Sequence, residues 1–354
     1  MQRIADSHVH IMFMEHEKVS KMLDDLLELG VTDVCLLALP YHNTAENLAV
    51  LFNKYKYDKM NVRCFGGLHL TDKYSVIPPK EMVKALLRLG CDGFKMMYAP
   101  EMRAFTGRAI SDEYYDEMFS LLEETKTPVN IHVADPEEFW NDGGRYASGF
   151  PSKEQLYDEI FKMLDKHPNL KVTFAHFFFL SNMKEEAVRV MEKYKNVWFD
   201  ITPGVEMYYN FDNDIKFWHD FFVKYSDRIM FGTDANTIKS VNCALNRAVY
   251  QKLTQSFEKY EANLYGKSYM LNGLQLPEDV VDKICYKNYL ARMGERKEVD
   301  LQLLKEYAQR MLSDIKAQPD DPYYKKGMEL VPSLKDDPFR ETAVRELNEI
   351  LENI

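Results

Sequence analysis

Two histidines separated by one residue, His8 and His10 in Asp6-Ser7-His8-Val9-His10, carry the strongest chemical signal in the chain. Side chains alternate faces along a strand, so this pair would share one side, roughly 6.5 to 7 Å apart along the backbone. Two imidazoles placed in this way can grip one metal ion; the competing reading is a pair of hydrogen-bonded core histidines. A lone aspartate at the end of another apolar run, Asp234 in Phe231-Gly232-Thr233-Asp234, offers a carboxylate of the kind that completes imidazole sites. Lys95 in Gly93-Phe94-Lys95, His132 in Val129-Asn130-Ile131-His132 and His176 in Thr173-Phe174-Ala175-His176 also end apolar runs. Singly, each has a plain structural reading as a core histidine, a snorkelling lysine or a capping aspartate. Jointly they call for an architecture that gathers many strand ends at one place.

The pattern of the chain predicts such an architecture. Candidate strands are Ile4–Ile11, Asp33–Leu39, Val62–Leu68, Gly93–Tyr98, Val129–Val133, Val172–Phe177, Val197–Ile201 and Ile229–Gly232. Between them, Val19–Leu29, Pro79–Leu89, Asp112–Thr125, Lys153–Leu164, Lys184–Tyr194 and Phe217–Tyr225 repeat apolar residues every three or four positions. Parallel strands need helical crossovers, so β and α units in series predict an α/β fold, a (β/α)8 TIM barrel. Leu29-Gly30 and Leu89-Gly90 read as helix ends, and Ser111 and Ser152 as helix starts. Active sites of such barrels lie at the C-terminal ends of the strands, which would bring all six residues to one mouth. The barrel is expected over residues 1–294, with an insertion at 236–276 before a last helix, Glu278–Met293. That insertion reads equally as a lid or an oligomer contact. Beyond Gly294, one helical stripe runs from Val299 to Ile315 and another from Val344 to Ile354, around a proline- and charge-rich stretch, Pro319–Pro338. Residues 295–354 are therefore expected to form a helical extension packed on the barrel or on a second copy, a homodimer.

Composition narrows the class. The chain of 354 residues can bury a large core as one domain. A net charge of -11 argues against a nucleic-acid partner, which usually leaves a basic footprint. No apolar run is long enough to span a bilayer, the polar faces of the terminal stripes are not basic enough to suggest membrane adsorption, and Met1 to Asp6 lacks a secretory pattern, so a cytoplasmic protein is expected. Five widely spaced cysteines without a CxxC pair point to reduced structural thiols.

The motifs in order, Asp6 to His10, Gly93 to Lys95, Pro128 to His132, Ala175-His176, Asp227 to Asp234 and Lys283 to Asn288, resemble the amidohydrolase superfamily. The resemblance is to its amidohydrolase-related branch, which includes the aminocarboxymuconate semialdehyde decarboxylase group. It covers residues 1–294 and leaves the insertion and the tail unassigned. It implies metal ligation by His8, His10, His132 and Asp234, most often of zinc, with manganese or nickel as other divalent choices. It also implies hydrolysis of an amide, ester or lactone in a small polar or carboxylated metabolite by a metal-activated water, whose proton Asp234 would take. His176 would orient or protonate the substrate. Lys95 as a carboxylated bridge, together with His176, would mark a second metal, and as an amine it would bind an anionic substrate; one metal is the expected number. The alternative activity at the same site is non-oxidative decarboxylation, which needs a proton donor over the α carbon and cations on the carboxylate. Arg103, Arg108 and Arg145 could supply those cations. Expected substrate contacts are Lys95, His69, Tyr98 and Arg145, with His42, Asp200 and Thr202 as further pocket candidates. Asp200 is expected to orient His176 or a backbone group, and Trp140 and Tyr146 to wall the pocket or pack on the rim. Glu206 has no assigned place.

Overall fold

A computed structural model describes residues 3–11, 15–39, 45–68, 77–236, 243–264, 266–317 and 339–354. Eight strands form one parallel sheet in sequence order: β1 (Ile4–His10), β2 (Val31–Leu37), β3 (Asn61–Gly67), β4 (Gly93–Tyr98), β5 (Val129–Val133), β6 (Val172–Phe174), β7 (Val197–Asp200) and β8 (Ile229–Met230). The residues after β8 close the ring onto β1: Ser7 N donates to Phe231 O (3.0 Å), Asp234 N to His8 O (3.0 Å) and His10 N to Ala235 O (2.7 Å). The protein is a (β/α)8 barrel, with helices alternating between the strands.

Most helices lie where the apolar period places them. Pro79–Leu89 has the expected bounds and ends on Gly90 at φ 107°; Ser152 Oγ caps Lys153–Lys166 by accepting Gln155 N at 3.2 Å. The other expected cap, Ser111, does not act; its neighbour Asp112 accepts Tyr114 N instead. One helix, Ala45–Lys56, escapes the periodicity. Its residues from Ala45 to Lys54 are all buried, because the barrel covers one side and the terminal helices the other, so no polar face marks it.

Among the described residues the insertion holds the helix Cys243–Thr254 and an antiparallel hairpin, β9 (Lys259–Leu264) and β10 (Lys267–Asn272). It docks on helix Val205–Asp212, which follows β7: the buried Lys252 pairs with Asp212 and donates to Tyr208 O (3.2 Å), and Asn272 N donates to Asp212 (3.0 Å). The tail passes beneath the barrel. Lys297 N donates to Asp92 (2.8 Å) and Asp300 N to Leu89 O (3.2 Å). A side chain at Gly90 would place its Cβ 2.3 Å from Glu298 O, so only glycine admits this crossing. Helices Leu301–Ala317 and Phe339–Asn353 then pack on each other and on Ala45–Lys56. The stretch 318–338 lies outside the described residues.

Candidate metal centre

β1 is not the regular strand its alternation suggests. Asp6 pairs with Val34 and Val9 with Leu36, so the register slips within Ser7-His8. A bulge of this kind re-aims side chains. It brings His8 Nε2 to 3.1 Å from His10 Nε2, far closer than the spacing along an ideal strand. Asp234 Oδ1 lies 3.7 Å from the first nitrogen and 3.6 Å from the second. Asp234 itself stands at φ 56° and is the most open of the three, facing the mouth.

The partners of the two rings decide what this convergence means. His8 Nδ1 faces Asp200 Oδ2 at 3.0 Å and His10 Nδ1 faces Leu37 O at 2.9 Å. A carbonyl and a carboxylate only accept, so both Nδ1 atoms carry the proton and both Nε2 atoms present lone pairs. Burial holds both rings neutral: it brings His8 down to about 4, helped by the charge of Lys95, and His10 well below the ordinary histidine value. Two lone pairs and a carboxylate oxygen thus face one point with no proton between the nitrogens, which is the arrangement a cation relieves. Two nitrogens on one tetrahedral zinc stand about 3.3 Å apart, close to the separation seen here. The donor set fits a divalent metal; among the described residues His8, His10 and Asp234 are the group able to hold one.

Asp200, at the end of β7, organises the surroundings. Its Oδ2 accepts from His8 and from Asn130 Nδ2 (3.0 Å), and its Oδ1 accepts from the backbone N–H of His176 (2.9 Å) and of Thr202 (3.2 Å). Burial pushes this carboxyl up, yet its interactions with His8, the hydrogen bond included, and with His176 outweigh it, and it sits well below the ordinary carboxylate range. Asn130 passes the network on by accepting Lys95 Nζ at 2.7 Å. Burial lowers the Lys95 ammonium to about 8 against the pull of Asp200 and Asp234. On the opposite side Asp6 ties β1 to the end of β8, accepting Thr233 Oγ1 (2.6 Å), Thr233 N (3.1 Å) and His8 N (3.1 Å).

His132 stands beside the trio rather than in it. Its Nε2 donates to Ala134 O at 3.0 Å, which leaves Nδ1 as the nitrogen with a lone pair, and its ring centroid is 4.9 Å from that of His176. His176 lies 5.5 Å from the His8 ring, and its Nδ1 faces Thr202 O at 3.3 Å, so its Nε2 carries the lone pair. β6 ends three residues earlier than its apolar run. Ala175 is followed by four residues in the left-handed region, His176, Phe177, Phe178 and Phe179, at φ 52°, 56°, 57° and 51°. None is glycine, and such a conformation costs about 1–2 kcal/mol at each residue.

Several expected contacts fall elsewhere. Tyr98 does not reach the pocket: strand alternation turns it from Lys95 toward the helical layer, where its hydroxyl bonds Glu159 and accepts Ile110 N (2.9 Å). The three arginines are ion-paired, Arg103 with Glu159 (2.9 Å), Arg108 with Asp112 (3.6 Å) and Arg145 with Glu101 (2.5 Å). Tyr146 is buried on the rim, donating toward Asp135 (2.6 Å) and Glu101 (2.7 Å), and Trp140 Nε1 bonds Pro151 O (3.0 Å). Glu206 opens helix Val205–Asp212, and burial, with Glu138 and Asp135, raises its carboxyl. His42 and His69 lie outside the described residues. Asp6 and Asn130 are site residues the sequence reading did not single out, although each shares the parity of a histidine on its own strand, His8 and His132.

Fold and donor geometry together define a class: a TIM barrel with a candidate metal-binding cluster at the C-terminal mouth. Residues 53–288 match the amidohydrolase family, and the chain belongs to that family. The matched span holds Lys95, His132, His176, Asp200 and Asp234; His8 and His10 precede it. Among solved structures, a Staphylococcus aureus protein assigned to the amidohydrolases is similar over 83% of this chain and 100% of its own, at 12% identity and a TM-score of 0.51. The apo form of an IDCase from Metarhizium anisopliae covers 79% and 78%, at 16% identity and 0.48. A lactonase from Listeria monocytogenes covers 84% and 96%, at 10% identity and 0.47. At 12% identity the likeness to the Staphylococcus aureus protein concerns the fold alone. No curated protein matches the sequence significantly.

Proposed function

We propose that the protein is a metal-dependent hydrolase acting on an amide, ester or lactone in a small polar or carboxylated metabolite. The observation that carries this reading is the meeting of two unprotonated Nε2 atoms and the Asp234 carboxylate at the open end of the barrel. His8, His10 and Asp234 would hold the metal, one zinc ion, with His132 alongside. A bound divalent ion would supply Lewis acidity, polarising the scissile carbonyl and acidifying a water.

The remaining steps fall to the protein's own groups. Asp234, the partly open carboxylate, takes the proton of the attacking water. His176 Nε2, lone-pair-bearing because burial holds the ring at about 3 and Nδ1 faces Thr202, receives that proton from Asp234 and delivers it to the leaving group. Lys95, buried and held by Asn130, binds an anionic oxygen of the substrate. Asp200 fixes His8 and the His176 backbone, so one carboxylate sets the geometry of both. Decarboxylation would need further cations on the substrate carboxylate, and the three candidate arginines are already engaged by Glu159, Asp112 and Glu101. That pairing favours hydrolysis.

The test is elemental analysis of the purified protein followed by turnover assays on panels of lactones, esters, amides and carboxylic acids. One metal per chain with hydrolysis of a panel member supports the reading. Absence of bound metal, or carbon dioxide release without hydrolysis, refutes it.

A further inference from the structure

We propose that Phe177, Phe178 and Tyr157 are positioning residues for His176, so that the aromatic layer outside the barrel holds the catalytic imidazole through the left-handed turn. The proposal rests on the role given to His176 above. Left-handed backbone is the habit of glycine, and a run of four residues there without one persists only where the surroundings over-determine it. The surroundings here are specific. Phe177 is fully buried and meets Phe199 (centroids 4.9 Å), Phe211 (5.1 Å), Trp218 (5.5 Å) and Phe222, the last in parallel stacking at 5.6 Å. Phe178 stacks on Phe174 at 3.8 Å and meets Tyr157 edge-on at 5.0 Å.

Tyr157, on the helix Lys153–Lys166, supplies the polar half of the clamp. Its hydroxyl donates to Phe178 O at 3.0 Å and stands 3.4 Å from Phe179 O, satisfying carbonyls that a left-handed turn directs away from the sheet. At the other end Asp200 takes the His176 N–H. The ring of Phe179, the last residue of the turn, lies 5.3 Å from both His132 and His176. The turn is therefore pinned at Asp200, at the aromatic layer and at Tyr157. The direction of the His176 ring follows from those three anchors, and among the described residues no neighbouring strand pairs with β6 beyond Phe174.

Tyr157→Phe removes one hydroxyl and keeps the ring; Phe177→Leu keeps an apolar anchor without the aromatic contacts. Tyr194→Phe is the control, a hydroxyl loss in the same aromatic layer that does not touch the turn. Histidine-ring NMR on protein labelled at Cε1 reads His176 directly and needs no substrate. Both test variants are expected to shift or broaden the His176 signal while His16, on the helix His16–Glu28 that follows β1 and packed against Phe52, stays in place; the control is expected to change neither. On a hydrolysed substrate, kcat is expected to fall about tenfold or more with KM within about twofold, as for a displaced catalytic group. An unchanged His176 signal in Tyr157→Phe, or equal effects in Tyr194→Phe, overturns the proposal. If Phe177→Leu fails to fold, Tyr157→Phe decides alone. Failure of the wild type to hydrolyse any panel member would overturn the functional reading instead, and the ring signals would still decide the positioning role.

Discussion

The sharpest quantitative consequence concerns Glu346, in the C-terminal helix. Its carboxyl is buried against helix Ala45–Lys56, where Glu46 is also buried and accepts Leu39 N at 3.2 Å. Burial raises Glu346 from 4.5 to about 8; Arg345 opposes, while Glu349 and Glu15 add to the rise. Arg345 is itself paired with Glu15 at 3.3 Å, so it offers Glu346 no full counter-charge, and Glu349, which accepts the His16 N–H, is of like charge. An acid whose folded value is raised contributes its full stability below the unfolded value and loses it as pH climbs toward the folded one. The loss runs from about 4.5 to about 8 and is complete above that. At about 1.4 kcal/mol for each tenfold change in proton affinity, the ceiling is about 5 kcal/mol, and relaxation of the terminal helix brings the expected effect to about 2 kcal/mol. Glu346→Gln removes the titration and keeps the shape. Urea unfolding at about pH 5 and about pH 9 is the assay. The variant should match the wild type within about 1 kcal/mol at the lower pH and exceed it by about 2 kcal/mol at the higher. A variant weaker at both, or an advantage independent of pH, would refute the burial argument.

Other outcomes follow from the site. His8→Ala and Asp234→Asn should lose both metal and activity, whereas His176→Ala should lose activity and keep the metal; elemental analysis of each separates the roles, and metal loss in the last would contradict its placement outside the trio. Gly232→Ala would put a methyl 2.5 Å from Thr202 Oγ1 and 3.1 Å from His8 Cβ. Overpacking of this kind costs about 1–3 kcal/mol, so denaturant unfolding should show that loss together with impaired metal uptake. We also propose a homodimer built partly from the C-terminal helices, with light scattering expected to give twice the chain mass for the full protein and the single mass after deletion of residues 299–354. An unchanged mass on deletion would overturn it.

Much of this was legible in the chain because two periods are simple to read. The alternation of apolar runs with three-to-four-residue repeats located the eight barrel strands, though not the hairpin β9 and β10, and barrel topology placed Lys95, His132, His176 and Asp234 on one mouth. Local pattern misled where a helix or strand lacks a distinguishing face. Ala45–Lys56 is buried on both sides, and the run Val172–Phe177 looks like one strand although it turns left-handed at His176.

Sequence by itself determined which residue types stand at the strand ends and so the class of chemistry available. Only the tertiary structure decided their partners. The bulge in β1 brings the two histidine nitrogens together, Asp200 and the Leu37 carbonyl choose their tautomers, and carboxylates from other loops and helices claim the arginines. Those choices depend on atoms tens to hundreds of residues apart meeting at hydrogen-bond distance. A periodicity along one strand carries no information about that.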